Sequence, residues 1–114
     1  MLLRVVICWP AALVLAALGA GRSTAAEPPS LRLQIVNHRF QPAALTIPAN
    51  TTVKLVIENR DAMPEEFESD DFDRERLILP NSSAVIFVGP LPPGRYRFFG
   101  EFNPAMAQGV QRVE

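Results

Sequence analysis

Apolar and polar residues alternate with a period of two through most of the chain after residue 30. Leu31, Leu33 and Ile35 are separated by Arg32 and Gln34. Val53, Leu55 and Ile57 interleave with Lys54 and Val56, and Tyr96 and Phe98 follow Arg95 and Arg97. Val110 and Val113 flank Gln111 and Arg112. Such alternation puts one row of side chains in a core and the next in water, which predicts half-buried β-strands. Residues 45–47, 77–79 and 84–88 are shorter β-prone runs. Turn chemistry separates them. Pro48-Ala49-Asn50-Thr51 and Pro80-Asn81-Ser82-Ser83 read as turns, and Pro92-Pro93-Gly94-Arg95 reads as a type II turn with Gly94 at φ > 0. Prolines punctuate the chain too often for long helices; one helical turn fits, around residues 70–76. The pattern predicts an all-β, antiparallel sandwich or Greek-key barrel of six to eight short strands.

The first 26 residues break this pattern. One early charge, Arg4, precedes an apolar run over residues 5–20 and then small residues. That is the layout of a secretory signal peptide, with cleavage expected after Ala25 or Ala26. The rival reading, a membrane anchor, wants about twenty unbroken apolar residues, and Pro10 and Gly19-Ala20-Gly21 interrupt the run. The expected organisation is therefore a signal peptide (1–26), a short proline-containing linker (27–30) and one exported domain (31–114). Within 27–114 the twelve acidic residues outnumber nine Lys/Arg, a net charge near −3. Nothing in that balance points to a nucleic-acid partner. The single cysteine, Cys8, lies in the leader, so the domain is expected to have no disulfide, no disulfide-linked partner and no thiolate. With one histidine and no cysteine after residue 26, neither a Cys–His pair nor a two-His zinc site forms within the chain.

Two connections are long for so small a domain, residues 59–76 and 100–108, and such segments commonly carry function. The first contains "MPEEFESDDFDRER", residues 63–76, with seven carboxylates. It reads either as a solvated loop or as a cation site. In the second reading Glu65, Glu66 and Glu68, nearest the strands, supply oxygen ligands suited to iron, manganese, magnesium or calcium. Clustered carboxylates raise one another's pKa unless a cation relieves them. Residues 70–75 alternate with Arg74 and Arg76 and read as self-paired surface. His38, the only histidine, is either a ligand or a structural donor. Met63 and Met106, one in each long connection, are either soft ligands for Cu(I) or gap-fillers. Asn103, before Pro104, reads as a turn residue with a carbonyl oxygen able to bind a cation.

Residues 38–61, "HRFQPAALTIPANTTVKLVIENRD", and 89–113, "GPLPPGRYRFFGEFNPAMAQGVQRV", resemble the opening and closing halves of the cupredoxin superfamily. The resemblance implies a cupredoxin-like Greek-key β-sandwich. A blue copper centre uses two His, a Cys thiolate and an axial Met. Here the first His position falls near Glu65, the Cys position on Gly100, the second His position on Asn103, and the Met position at or beside Met106. Three of the four ligands are missing, so the resemblance implies the fold without a blue copper site.

The motifs "PEEFES", "GPLPPGRYRFFGEF" and "AQG" resemble more narrowly the EfeO-type cupredoxin-like proteins that accompany bacterial iron-permease uptake systems. That resemblance implies a periplasmic accessory protein that binds iron or copper and oxidises or hands over ferrous iron to a membrane permease or another uptake component. Any ferroxidase-like activity rests on the resemblance alone. The group usually has "FGEFHP" where this chain has Asn103. The superfamily's loop placement makes Glu101 the expected partner of Glu65 and Glu66. Two other readings stay open: a copper-binding accessory protein using Met63, Met106 and His38, and a metal-free docking module for a membrane partner.

Overall fold

Each alternating run becomes a strand whose apolar row faces the same interior. The computed structural model describes residues 27–114; the expected signal peptide lies outside the described residues. Nine strands follow in order: β1 (Ser30–Val36), β2 (Arg39–Gln41), β3 (Ala44–Ile47), β4 (Val53–Asn59), β5 (Glu65–Ser69), β6 (Arg74–Ile78), β7 (Ser82–Val88), β8 (Gly94–Gly100) and β9 (Gln108–Val113). They form two sheets packed face to face, ordered β2-β1-β4-β7 and β3-β9-β8-β5-β6. Leu33 and Ile35, Val53, Leu55 and Ile57, and Ala84, Ile86 and Val88 line the inner face of the first sheet. Leu45, Ile47, Phe67, Ile78, Phe98 and Val113 line the inner face of the second. Phe67 and Phe98 stack with centroids 5.0 Å apart, and Phe40 meets both edge-on at 6.0 and 5.1 Å. Aromatic groupings of this geometry add to what their buried area contributes.

The sandwich is as the alternation predicts, with three local differences. The described residues form nine strands rather than six to eight, because β2 is only three residues long, too short to show a period, and because the acidic run itself pairs. Residues 59–76 are not one irregular connection: β5 and β6 form a hairpin. No helical turn forms there, since Asp73 adopts φ 53°, a left-handed conformation that reverses the chain. Gly94 opens β8 without a positive φ; the glycine with φ 93° is Gly89, where a Cβ would come within 2.6 Å of the Thr51 carbonyl oxygen. Ahead of the first sheet's core, Lys54 N donates to Pro29 O and Ser30 pairs with β4.

The pairing is also not wholly antiparallel: β1–β4 and β3–β9 are parallel. Parallel neighbours need long crossovers, so the sheets interlock. The loop after β4 and the loop after β8 consequently meet at one end of the molecule, where Phe102 N donates to the Glu65 side chain.

Candidate metal centre

The β5–β6 hairpin decides where the acidic residues go. Glu65, Phe67 and Ser69 point inward and are buried, so Glu66 and Glu68 point out from the second sheet. Glu75 lies directly opposite Glu68 across the hairpin and shares its face. Glu101 follows β8, and its N–H donates to Glu66 O at 2.9 Å, which sets it beside Glu66. One carboxylate oxygen from each of Glu66, Glu68, Glu75 and Glu101 lies within 4.8 Å of the others. Glu66 and Glu68 are half-buried; Glu75 and Glu101 are exposed.

Like charges directly opposite one another in a sheet destabilise it, and the proton equilibria register this. Glu66 is pushed up from 4.5 to about 7. The first cause is a hydrogen bond to Glu75 that only a protonated carboxyl can make, followed by partial loss of water and then by Glu101. Glu68 is also raised, first by a hydrogen bond with Glu101, then by desolvation and by the charges of Glu101, Glu75 and Asp70. Four convergent carboxylates offer an oxygen-rich shell of the kind hard divalent cations take.

Glu66, Glu68 and Glu101 are thus brought together, and Glu75 joins them. Sequence reasoning placed Glu75 in a self-paired surface run; instead Asp71 faces Arg97, and Arg74 Nε donates to Phe87 O. The missed signal was hairpin register. A turn over residues 70–73 sets Glu68 opposite Glu75, and the period of two then aligns Glu66 with them.

Glu65 is not brought to the cluster. Only 1% exposed, it turns to the inner face, where Oε1 accepts from Glu66 N and Phe102 N, both at 3.0 Å, and Oε2 accepts from Asn103 Nδ2 at 2.8 Å. Charge-assisted bonds of this kind are stronger than neutral ones. Asn103 also caps its own turn, its carbonyl accepting from Met106 N and Ala107 N. Gly100 lies against this carboxylate: a Cβ there would come within 2.7 Å of both Glu65 Cδ and Ala107 Cβ. The donor set therefore does not fit a blue copper ion. Position 100 has no side chain, and the space a ligand would fill is taken by Glu65.

His38 sits in the β1–β2 turn at φ 60°. Its N–H donates to Asp61 Oδ2 at 2.9 Å, with Nδ1 3.9 Å from the same oxygen. Met63 and Met106 are 60% and 44% exposed, and the Met63 carbonyl accepts from Asn59 Nδ2.

The chain matches the profile of the family described as cupredoxin-like domain over residues 6–111. It belongs to the cupredoxin-like domain family. This family member is similar to an uncharacterised protein of Rickettsia prowazekii (strain Madrid E), 40% identical over 79 residues, which are 69% of this chain. The match spans 63% of the length of that relative. Among solved structures it is similar to auracyanin A, a blue copper protein of Chloroflexus aurantiacus, with TM-score 0.67 and 14% identity, covering 76% of this chain and 99% of that one. It is similar also to the metal-binding domain of the Cu(I)-exporting P-type ATPase of Streptococcus pneumoniae D39, with TM-score 0.66 and 17% identity over 75% of this chain and 84% of that one. At these identities the likeness is one of fold.

Proposed function

We propose that this cupredoxin-like protein is a periplasmic metal-binding accessory protein that takes a divalent cation, foremost ferrous iron, on the outer face of its second sheet and passes it to an iron-permease uptake system. The observation that carries the reading is the convergence of Glu66, Glu68, Glu75 and Glu101 within 4.8 Å on two adjacent strands and the turn that follows a third. Carboxylate oxygens favour Fe(II) and Mn(II), whereas Cu(I) favours sulfur. The narrower resemblance to EfeO-type proteins supplies the iron, the periplasm and the permease. A surface site suits a protein that hands its cargo on, because the exposed Glu75 and Glu101 are accessible to an incoming donor or acceptor.

Anaerobic calorimetry of the protein with Fe(II), Mn(II), Cu(II) and Cu(I) tests this. We expect saturable one-to-one Fe(II) and Mn(II) binding that falls at least tenfold in Glu68→Gln/Glu75→Gln, whose side chains lie outside the core. A second reading, copper handling, is favoured by the exposed thioethers of Met63 and Met106 and by the copper named for the structural neighbours. Binding of Cu(I) alone, lost in Met106→Leu and kept in the glutamine variant, would establish that reading instead. No binding of any of these ions would leave the sandwich as a docking module.

A further inference from the structure

The outer face of the second sheet is divided by charge. Its β6–β5 side carries Glu66, Glu68 and Glu75, with Glu101 set beside them from the turn after β8, and its β8–β9 side carries arginines. Arg95 lies directly opposite Arg112, and Arg97 follows two residues on along β8, so all three share the outer face. A direct cross-strand pair of like charges costs stability. Among the described residues, neither Arg95 nor Arg112 takes part in an ion pair, and Arg97 has only Asp71, at 3.8 Å, with its side chain 86% exposed.

Arg95 and Arg97 border a trough. A cavity of about 400 Å³ is lined by Arg95, Arg97 and Gln108 over a floor of Ala43, Gly109 and Val110. A second, of about 430 Å³, shares Arg97, Gln108 and Gly109 with the first and continues past Phe99 to Asp70 and Asp71. Phe99 is the direct cross-strand neighbour of Glu68. The trough thus begins among guanidinium donors and ends beside the carboxylate cluster. Gln108 spends one amide N–H on Pro104 O and has a second to give.

We propose that this trough binds a small polycarboxylate anion, held by Arg95, Arg97 and Gln108, as the soluble chelator that carries the cation to Glu66, Glu68, Glu75 and Glu101. The proposal rests on the metal-binding reading above for the chelator's role, while the anion site itself stands on the trough. Paired guanidinium forks recognise carboxylates bidentately, and the volume suits a molecule of that size rather than a macromolecule. A cation arriving as an anionic complex would otherwise be repelled by the glutamates; the arginines oppose that repulsion at the neighbouring position. Exchange needs no redox step: the cation leaves chelator carboxylates for protein carboxylates, and the freed anion stays paired with arginine.

The test uses metal-free protein at low ionic strength, titrated with citrate and, separately, with inorganic phosphate, and followed by amide NMR shifts. We expect saturable citrate-induced shifts at Arg95, Arg97, Gln108 and Gly109, and at least a tenfold loss of affinity in Arg95→Gln/Arg97→Gln. Both side chains are exposed, and unchanged circular dichroism checks that the variant folds. Absence of citrate binding, citrate binding that the double variant keeps, or phosphate binding of equal strength at the same amides would each overturn the proposal. Because no metal is present, failure here is distinct from failure of the glutamate site, which the Mn(II) titration of Glu68→Gln/Glu75→Gln reads independently.

Discussion

Glu65 shows how one residue's environment decides its role. Its carboxylate accepts three N–H donors from the hairpin and from the loop after β8, so it ties that loop to the sheet in the place where the superfamily puts metal ligands. Glu65→Ala would leave those donors buried without partners, at about 1–3 kcal/mol for each that water cannot reach. We expect a destabilisation of at least about 2 kcal/mol in urea unfolding, with Mn(II) affinity of the folded protein within about twofold of the parent, as for a site with which it shares no ligand atom. Gly100→Ala is the steric counterpart. Its new methyl group meets Glu65 and Ala107 at 2.7 Å, and overpacking of this kind costs about 1–3 kcal/mol, readable as a lower urea midpoint. Asn103 fits the same account, since its amide donates to Glu65 where an imidazole stands in the resembling group.

At the scale of the element, the β5–β6 hairpin concentrates charge. Folding raises Glu66 from 4.5 to about 7. Between those values the folded protein keeps a proton that the unfolded chain has released, so this residue's contribution to stability is complete below about pH 4.5 and is lost as the pH rises through about 7. Glu66→Gln removes that titration. We expect the variant to be more stable than the parent at pH 8, with the difference closing towards pH 5, by thermal unfolding at both values. A variant whose advantage is independent of pH would show that the Glu75 and Glu101 contacts do not govern the proton. Protons and cations also compete for the same oxygens, so affinity for Mn(II) is expected to increase from pH 6 to pH 8, in the opposite direction to the stability of the metal-free protein.

At the scale of the whole molecule, the glutamates are presented by two strands of one sheet and the turn after a third, brought together although distant in sequence: β5 and β8 pair Phe67 with Gly100. The cluster exists only in the folded chain, and a ligand that binds only the folded state stabilises it by mass action. Manganese at a hundredfold its dissociation constant is therefore expected to add about 2.7 kcal/mol. This would be seen as a higher Tm at pH 8 that a chelator reverses and that Glu68→Gln/Glu75→Gln lacks. The same sheet carries Arg95, Arg97 and Arg112 on the other side of its outer face, so that face is bipolar although the described part of the chain is only mildly acidic.

The period-two alternation by itself determined the β-sandwich, because the side-chain period of a strand matches a single buried face, and it placed Leu33, Ile57 and Phe98 in the core. It also located the acidic residues and the long connection between β8 and β9. What it did not contain was register. Which of the seven carboxylates between residues 63 and 76 meet depends on a reversal at Asp73, on the alignment of Glu68 with Glu75, and on the docking of β8 against β5 across more than thirty residues of intervening chain. A shift of one residue in that pairing would have sent Glu66 and Glu68 inward and Glu65 outward. Only the tertiary structure could decide that Glu65 holds a loop, that Glu75 joins the cluster, and that Arg95 and Arg97 of β8 and Gln108 of β9 line one trough, because each is a relation between strands and not a property of any one of them.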